Sequence, residues 1–397
     1  GIIAANAGND AGGIVTYASA GALYQYRTLF FMVLVTVALV CVQEMAARLG
    51  AFTGKGLAAL IREEFSLRAA TFALVCLVLA NVGLVVSEFA GIGAALELFG
   101  VSRYYSIPIA AVAIWALVLF GSYRYAERIF LVLSLVFFAY PLAAILARPN
   151  WSKVLANTAW PHFIGNKGFL LLGVALIGTT ITPYMQLYVA AAVADKGIGP
   201  EEYHFERIDA VGGAIFGNII SMFMIIATGA AIGHLGQPLN SAKDAAQALK
   251  PVAGRFAAKM FAVGLLGASA LAGAVVPLST AYAISEAVGV ERSVSRSFAE
   301  ARLFLSLFTV QVLIGAAVAL APGNLIDLLI KTQVLNGLIT PIILIFILIL
   351  ANRISLLGAA VNGPIFRVVA TMCVVGVSAM SAIVVVQTVL PWIGIHT

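Results

Sequence analysis

Charge is what this sequence has least of. Only 10% of its 397 residues are Asp, Glu, Lys or Arg, against about 25% in an ordinary soluble domain. Hydrophobic residues make up 62% and the mean hydropathy is +1.04, a balance that excludes a water-soluble globular chain. Basic runs with interleaved aromatics are missing, so no nucleic-acid partner is expected. The three cysteines, Cys41, Cys76 and Cys373, lie far apart in apolar stretches. They lack the spacing of a metal site and read as packing residues. No nucleophile–base arrangement is present, so the chain is not read as an enzyme and no cofactor is expected. The alternating segments of a β-barrel are missing too. No cleavable signal peptide is visible, and the opening residue is Gly1 rather than Met, so a preceding segment is expected.

What is present is a series of apolar runs of about 20 residues, the length that crosses a bilayer as helix. They cover residues 2–24, 28–47, 70–98, 107–120, 129–147, 169–194, 211–235, 257–288, 303–321, 325–351 and 364–393. The reading is an all-α polytopic membrane protein of about eleven helices with short connections, one domain over 1–397. Arg48, Lys55, Arg62 and Arg68 cluster after the second span, and Arg292, Arg296 and Arg302 after the eighth. The net charge is +6, and the positive-inside rule then puts the N-terminus in the cytoplasm.

Two spans are interrupted. The first contains Asn6-Ala7-Gly8-Asn9-Asp10-Ala11-Gly12-Gly13, whose glycines and small polar side chains disfavour helix. A carboxylate at bilayer depth costs about 2.5–3.5 kcal/mol on insertion scales, and unpaired backbone there costs several more. Asp10 is therefore a candidate cation ligand; the alternative is a loop outside the bilayer. The sixth span contains Gly178-Thr179-Thr180-Ile181-Thr182-Pro183-Tyr184-Met185-Gln186. Pro183 removes a backbone donor, and the threonines can line a cavity or re-bond freed carbonyls; the alternative is a simple proline kink. Breaks in spans one and six, with five spans per half, are the sequence pointer to inverted repeats whose unwound parts meet near the midplane.

These residues resemble the Nramp family of divalent-metal transporters over most of the chain. Asp10-Ala11-Gly12-Gly13-Ile14-Val15-Thr16 stands where the family has Asp-Pro-Gly-Asn-hydrophobic-Ala-Thr. Ala47-Arg48-Leu49-Gly50-Ala51-Phe52-Thr53-Gly54-Lys55 is similar to its Ala-Arg-Leu-Gly-x-x-Thr-Gly-Lys signature. Gly178-Thr179-Thr180-Ile181-Thr182-Pro183-Tyr184 stands against Gly-Ala-Thr-Val-Met-Pro-His, and Gln333-Val334-Leu335 with Pro341 matches a tenth-span pattern. The resemblance implies a LeuT-like fold with a 5+5 inverted repeat, about 1–147 and 168–352, and an extra helix at about 364–393. It also implies a monomer in the bilayer of a prokaryotic inner membrane, with a divalent metal ion as substrate.

By the same resemblance the metal site involves Asp10, Gly13, Thr179, Thr182, Ala7 and Gln333, and the coupling-related positions are Tyr184, Glu88 and Gly91. The departures carry the finer reading. The family's ligating Asn is Gly13 here and its Met is Thr182. Losing a thioether removes a soft ligand that favours transition metals. Losing the Asn side chain enlarges the cavity. One carboxylate with hydroxyls and carbonyls suits magnesium, which sheds its water reluctantly, and the pattern is similar to the Nramp-related magnesium transporters. The family's span-six His is Tyr184, and one of its two third-span acids is Gly91 while Glu88 is kept. A tyrosine near pKa 10 and a glycine supply no neutral-pH proton relay, so import of magnesium, and of manganese, is expected without proton coupling. Two charges crossing 100 mV gain about 4.6 kcal/mol, enough for accumulation of about a thousandfold or more. The alternatives are a proton-coupled manganese/iron transporter, a sodium-coupled amino-acid transporter of the same fold and a non-transporting receptor. Asp327 and Lys331, one turn apart, are expected to pair, and Glu44, His162 and His204 are assigned no chemistry.

Overall fold

The computed structural model describes residues 10–120, 128–129, 131–133, 135–289 and 302–389, with the backbone alone at 389. Every described secondary element is helical. Named in chain order, the principal helices begin with α1 (Ala11–Tyr24), α2 (Leu29–Thr53), α3 (Leu57–Glu64), α4 (Leu67–Glu97) and α5 (Arg103–Leu119). The middle of the chain gives α6 (Ala139–Leu146), α7 (Trp151–Ala159), α8 (Lys167–Thr180), α9 (Pro183–Asp195) and α10 (Tyr203–Ala231). The last four are α11 (Ala257–Val288), α12 (Arg302–Ala319), α13 (Leu325–Ala351) and α14 (Pro364–Val389).

Among the described residues, eight helices are long and apolar enough to cross a membrane, with α8 and α9 counted as one broken span. Among the described residues, each expected span has a helical counterpart with shifted ends; residues 2–9 of the first span and 390–393 of the last lie outside the described residues. α2 runs on to Thr53, where Gly54 supplies the left-handed C-cap at φ +63°, and α10 starts as early as Tyr203. Two connections are more structured than their composition suggested. Asn150 caps α7 through the Lys153 amide, and residues 242–256 form short helical turns rather than open loop.

The layering follows from which helices have an apolar stripe and which are apolar all round. Ala11 through Ala22 of α1 are all buried, the state expected of a helix apolar on every face. It packs against α10, α13 and α8, while α4 is flanked by α11, α12 and α13. The outside is apolar as well: Ile365, Val368, Met372 and Val375 of α14 are exposed. An apolar exterior over buried polar groups is the arrangement that lipid, not water, stabilises.

Close approach at the centre is permitted by small residues. A side chain on Gly178 of α8 would collide with the backbone of Gln333 and Gly337 on α13. Gly337 in turn lies against the Val174 carbonyl of α8. This is the small-residue packing that brings membrane helices backbone to backbone, and it sets α8 and α13 around the end of α1.

Candidate metal-ion site

The site is built where α1 begins. Asp10 has extended backbone (φ −73°, ψ 170°) and caps the helix, its Oδ1 accepting the Gly13 amide at 2.5 Å. A free helix N-terminus carries partial positive charge and unpaired N–H groups. Here two carboxylates meet it: Asp10 from within, and Glu88 of α4, whose Oε2 accepts the Ala11 amide at 3.3 Å. Both acids are buried, at 2% and 0% exposure.

The sixth-span break lies beside it. α8 ends at Thr180, Ile181 leaves helical geometry (φ −112°, ψ 58°), and Pro183 opens α9. Pro183 has no N–H to return to the Thr179 carbonyl. The freed carbonyls on either side are taken up by α13: Asn336 donates to the Gly178 carbonyl at 2.6 Å and Thr340 to the Ile181 carbonyl at 3.3 Å. The Thr179 hydroxyl crosses to Asp10, donating to Oδ1 at 3.4 Å. Thr182 is the buried N-cap residue of α9, and its hydroxyl does not cap the helix. Tyr17 of α1 and Thr180 share a hydrogen bond of 2.9 Å that pins α1 to the end of α8.

The structure thus gathers most of the expected positions. Asp10, Thr179 and Gly13 are in contact, and a Cβ on Gly13 would stand 2.5 Å from the Thr179 hydroxyl and 2.9 Å from Asp10 Oδ1. Glycine at 13 is what lets hydroxyl and carboxylate meet. The Gln333 amide lies beside the Asp10 carboxylate, in the space that a side chain on Gly12 would occupy. Tyr184 is buried in the first turn of α9. Gly91 packs against Ala11 and Ser269, so no side chain fits there without displacing α1. Ala7 lies outside the described residues.

Several residues were missed or under-weighted in the sequence. Glu88, expected only as a coupling-related position, touches the same helix end as Asp10. Ser87 brings its hydroxyl to within 2.6 Å of a Cβ position on Gly12, and Gln186 is fully buried on α9. Their signal was simply a polar residue within an apolar run. Around this helix end, Ser87 Oγ, Glu88 Oε1 and Gln333 Oε1 are buried without a hydrogen-bond partner, as are both polar atoms of Gln186. Buried polar atoms of that kind are costly unless something partners them. The group can offer a cation one or two carboxylates, a hydroxyl, an amide oxygen and the Thr179 carbonyl that Pro183 leaves without its helical donor, a hard-oxygen set without sulfur.

A second polar cluster lies at the C-terminal end of α2. Glu44 accepts from Arg48 at 3.0 Å and from the Tyr203 hydroxyl at 2.5 Å, and Arg207 approaches it at 3.7 Å. Arg48 also donates to the Ala360 carbonyl at 2.8 Å and to the Asn362 side chain. The cluster borders a cavity of about 280 Å³. Glu44, expected to carry no chemistry, is thus the centre of a buried ion-pair network.

Known proteins resemble this chain over nearly its whole length. A divalent metal cation transporter MntH of Aeromonas hydrophila is 26% identical over 397 residues, covering 96% of this chain and 93% of that protein. The MntH of Bacillus subtilis is 25% identical, covering 97% and 91%. A manganese transporter of Eremococcus coleocola superposes with a TM-score of 0.75 at 19% identity, over 99% of this chain and 86% of that one. MHP1, a nucleobase-cation-symport-1 family transporter, follows at a TM-score of 0.56 and 14% identity, over 98% and 92%. These likenesses give the fold as LeuT-like. The family model described as natural resistance-associated macrophage protein-like matches residues 1–387, and the chain belongs to the Nramp family.

Proposed function

We propose that this protein imports divalent metal cations by alternating access, with magnesium, and also manganese, carried as a partly hydrated ion and without proton coupling. The names of the MntH relatives support divalent-metal transport. The observation that carries the finer reading is the set of partnerless buried polar atoms around the start of α1. A hydrated cation between Asp10, Thr179, Thr182 and Gln333 would partner them through its water shell. Magnesium keeps several waters and takes one or two carboxylates, and a site with hydroxyl in place of thioether lacks the preference for softer metals.

Gly13 supports the same reading by letting the Thr179 hydroxyl reach the Asp10 carboxylate, two hard oxygens side by side. The missing acid at Gly91 and the tyrosine at 184 remove two groups that a proton relay would use. On this view Glu88 neutralises the α1 helix end together with Asp10, and the N-terminus faces the cytoplasm of a prokaryotic inner membrane. The membrane potential supplies the driving force, at about 2.3 kcal/mol per charge per 100 mV.

A second reading keeps a proton-coupled manganese/iron transporter; Glu88, an acid retained beside Asp10, favours it. Magnesium influx into proteoliposomes, with an internal pH dye read in parallel, separates the two. Magnesium entry without acidification is the expected result. Manganese entry with acidification and no magnesium entry would overturn it.

A further inference from the structure

Two of the three cysteines, distant in sequence, meet in the folded chain. Cys41 lies near the middle of α2 and Cys373 in α14, with their thiols neighbouring one another. Both are free, Cys41 buried and Cys373 half-buried. The contact agrees with the register of the two helices. About two turns on from Cys41, Arg48 lies over the ring of Phe366, about two turns back from Cys373 along α14. Asn362, just ahead of α14, donates to Met45 Sδ at 3.6 Å and accepts from Arg48. Antiparallel helices sharing one register from Arg48 to Cys41 hold the two thiols face to face.

We propose that Cys41 and Cys373 form a reversible disulfide when exposed to a hydroperoxide, and that this bond slows transport by tying α2 to α14. One thiolate attacks the peroxide oxygen, giving a sulfenic acid and releasing water or, from a lipid hydroperoxide, an alcohol. The second thiol attacks the sulfenic sulfur; the S–S bond forms and water leaves with the remaining proton. Two electrons pass from the thiols to the peroxide, and a dithiol reductant reverses the step.

The consequence for the site follows from what each helix holds. α2 packs closely on α9, with Gly50 against the Ala190 backbone, and α9 begins next to Thr182. α14 is fastened to α13 by Ser381, which donates to the Gly337 carbonyl at 2.9 Å, one turn from Gln333. A covalent link therefore couples the helix behind Thr182 to the helix carrying Gln333. Any cycle in which these elements move apart is stopped while the bond is closed. Cys76, on α4, has no part in it.

The test uses the full chain in proteoliposomes treated with hydrogen peroxide, blocked with a thiol alkylator and mapped by mass spectrometry, with magnesium uptake measured on the same sample. The expected result is a linked pair of peptides containing residues 41 and 373, uptake reduced in proportion to the linked fraction, and recovery of both by dithiothreitol. Cys76→Ser should leave the response intact, and Cys41→Ser or Cys373→Ser should remove it. Absence of the linked peptides, or linkage with unchanged uptake, overturns the proposal. The uptake arm rests on the transport reading above; the peptide arm does not, so failure of transport in untreated protein is distinguishable from failure of the thiol pair.

Discussion

The two buried polar clusters are made from similar residue types and end in opposite conditions. At the end of α2, Glu44 has Arg48, Tyr203 and Arg207 around it, and Arg48 is further held by Ala360 and Asn362. Nearly all of its hydrogen-bonding capacity is spent inside the protein. At the start of α1, Asp10 and Glu88 share one helix end, while Ser87, Glu88 and Gln333 keep unpartnered atoms. In the first cluster only Arg48 Nε lacks a partner; a nearly saturated cluster fixes structure, and an unsaturated one keeps capacity for something that comes and goes. Partner count, more than charge or depth, separates the two.

Removing the acid at each centre should break that comparison most sharply. Asp10→Ala is expected to abolish magnesium uptake in proteoliposomes while the protein still purifies folded, because the lost group is a ligand more than a support. Glu44→Ala leaves Arg48 buried without its counter-ion. It is expected to destabilise the fold by about 3–5 kcal/mol, read as a lower thermal unfolding midpoint, with uptake per folded molecule far less affected. Unchanged uptake in Asp10→Ala would remove the central cluster from function.

A smaller effect sharpens the chemistry of the centre. Gly13→Asn combined with Thr182→Met places an amide where Thr179 and Asp10 now touch and restores a soft sulfur. Competition uptake should shift toward manganese over magnesium by about tenfold, or about 1.4 kcal/mol. Comparable in size is Asn336→Ala, which strips the Gly178 carbonyl of its donor at the sixth-span break. The expected cost is about 1–3 kcal/mol in thermal stability. The smallest effect belongs to Lys331→Ala. The Lys331–Asp327 pair, at 2.6 Å, is 70% and 58% exposed at its side chains, so its loss should change stability by less than about 1 kcal/mol.

The legible parts of this protein are those written in local sequence. Apolar runs gave the helices and Pro183 gave the break in the sixth span, whereas Gly12 and Gly13, read as disfavouring helix, lie inside α1, which starts directly after Asp10. The Asp327–Lys331 pair could be read because its members are one turn apart. What could not be read was every relation between distant positions. Glu88 was visible as an acid in an apolar run, yet nothing local says that it reaches the Ala11 amide. Glu44 looked like an acid near a span end, and only the arrival of α10 and the segment ahead of α14 made it a network centre. Cys41 and Cys373 carried no spacing signal, because two helices packed antiparallel bring together residues whose separation in sequence is arbitrary.

The sequence by itself determined that the chain is a bundle of apolar helices with two interruptions and one acid at the first of them, since a bilayer leaves an apolar run few options but helix. The tertiary structure decided which groups meet at those interruptions: a second carboxylate, an amide from α13, a hydroxyl from α8, and carbonyls already taken by Asn336 and Thr340. The reason is geometric. Helix propensity and hydropathy act within a span, whereas the small-residue contacts at Gly178 and Gly337 set how closely α8 and α13 approach, and that approach decides which polar atoms are partnered and which are left open.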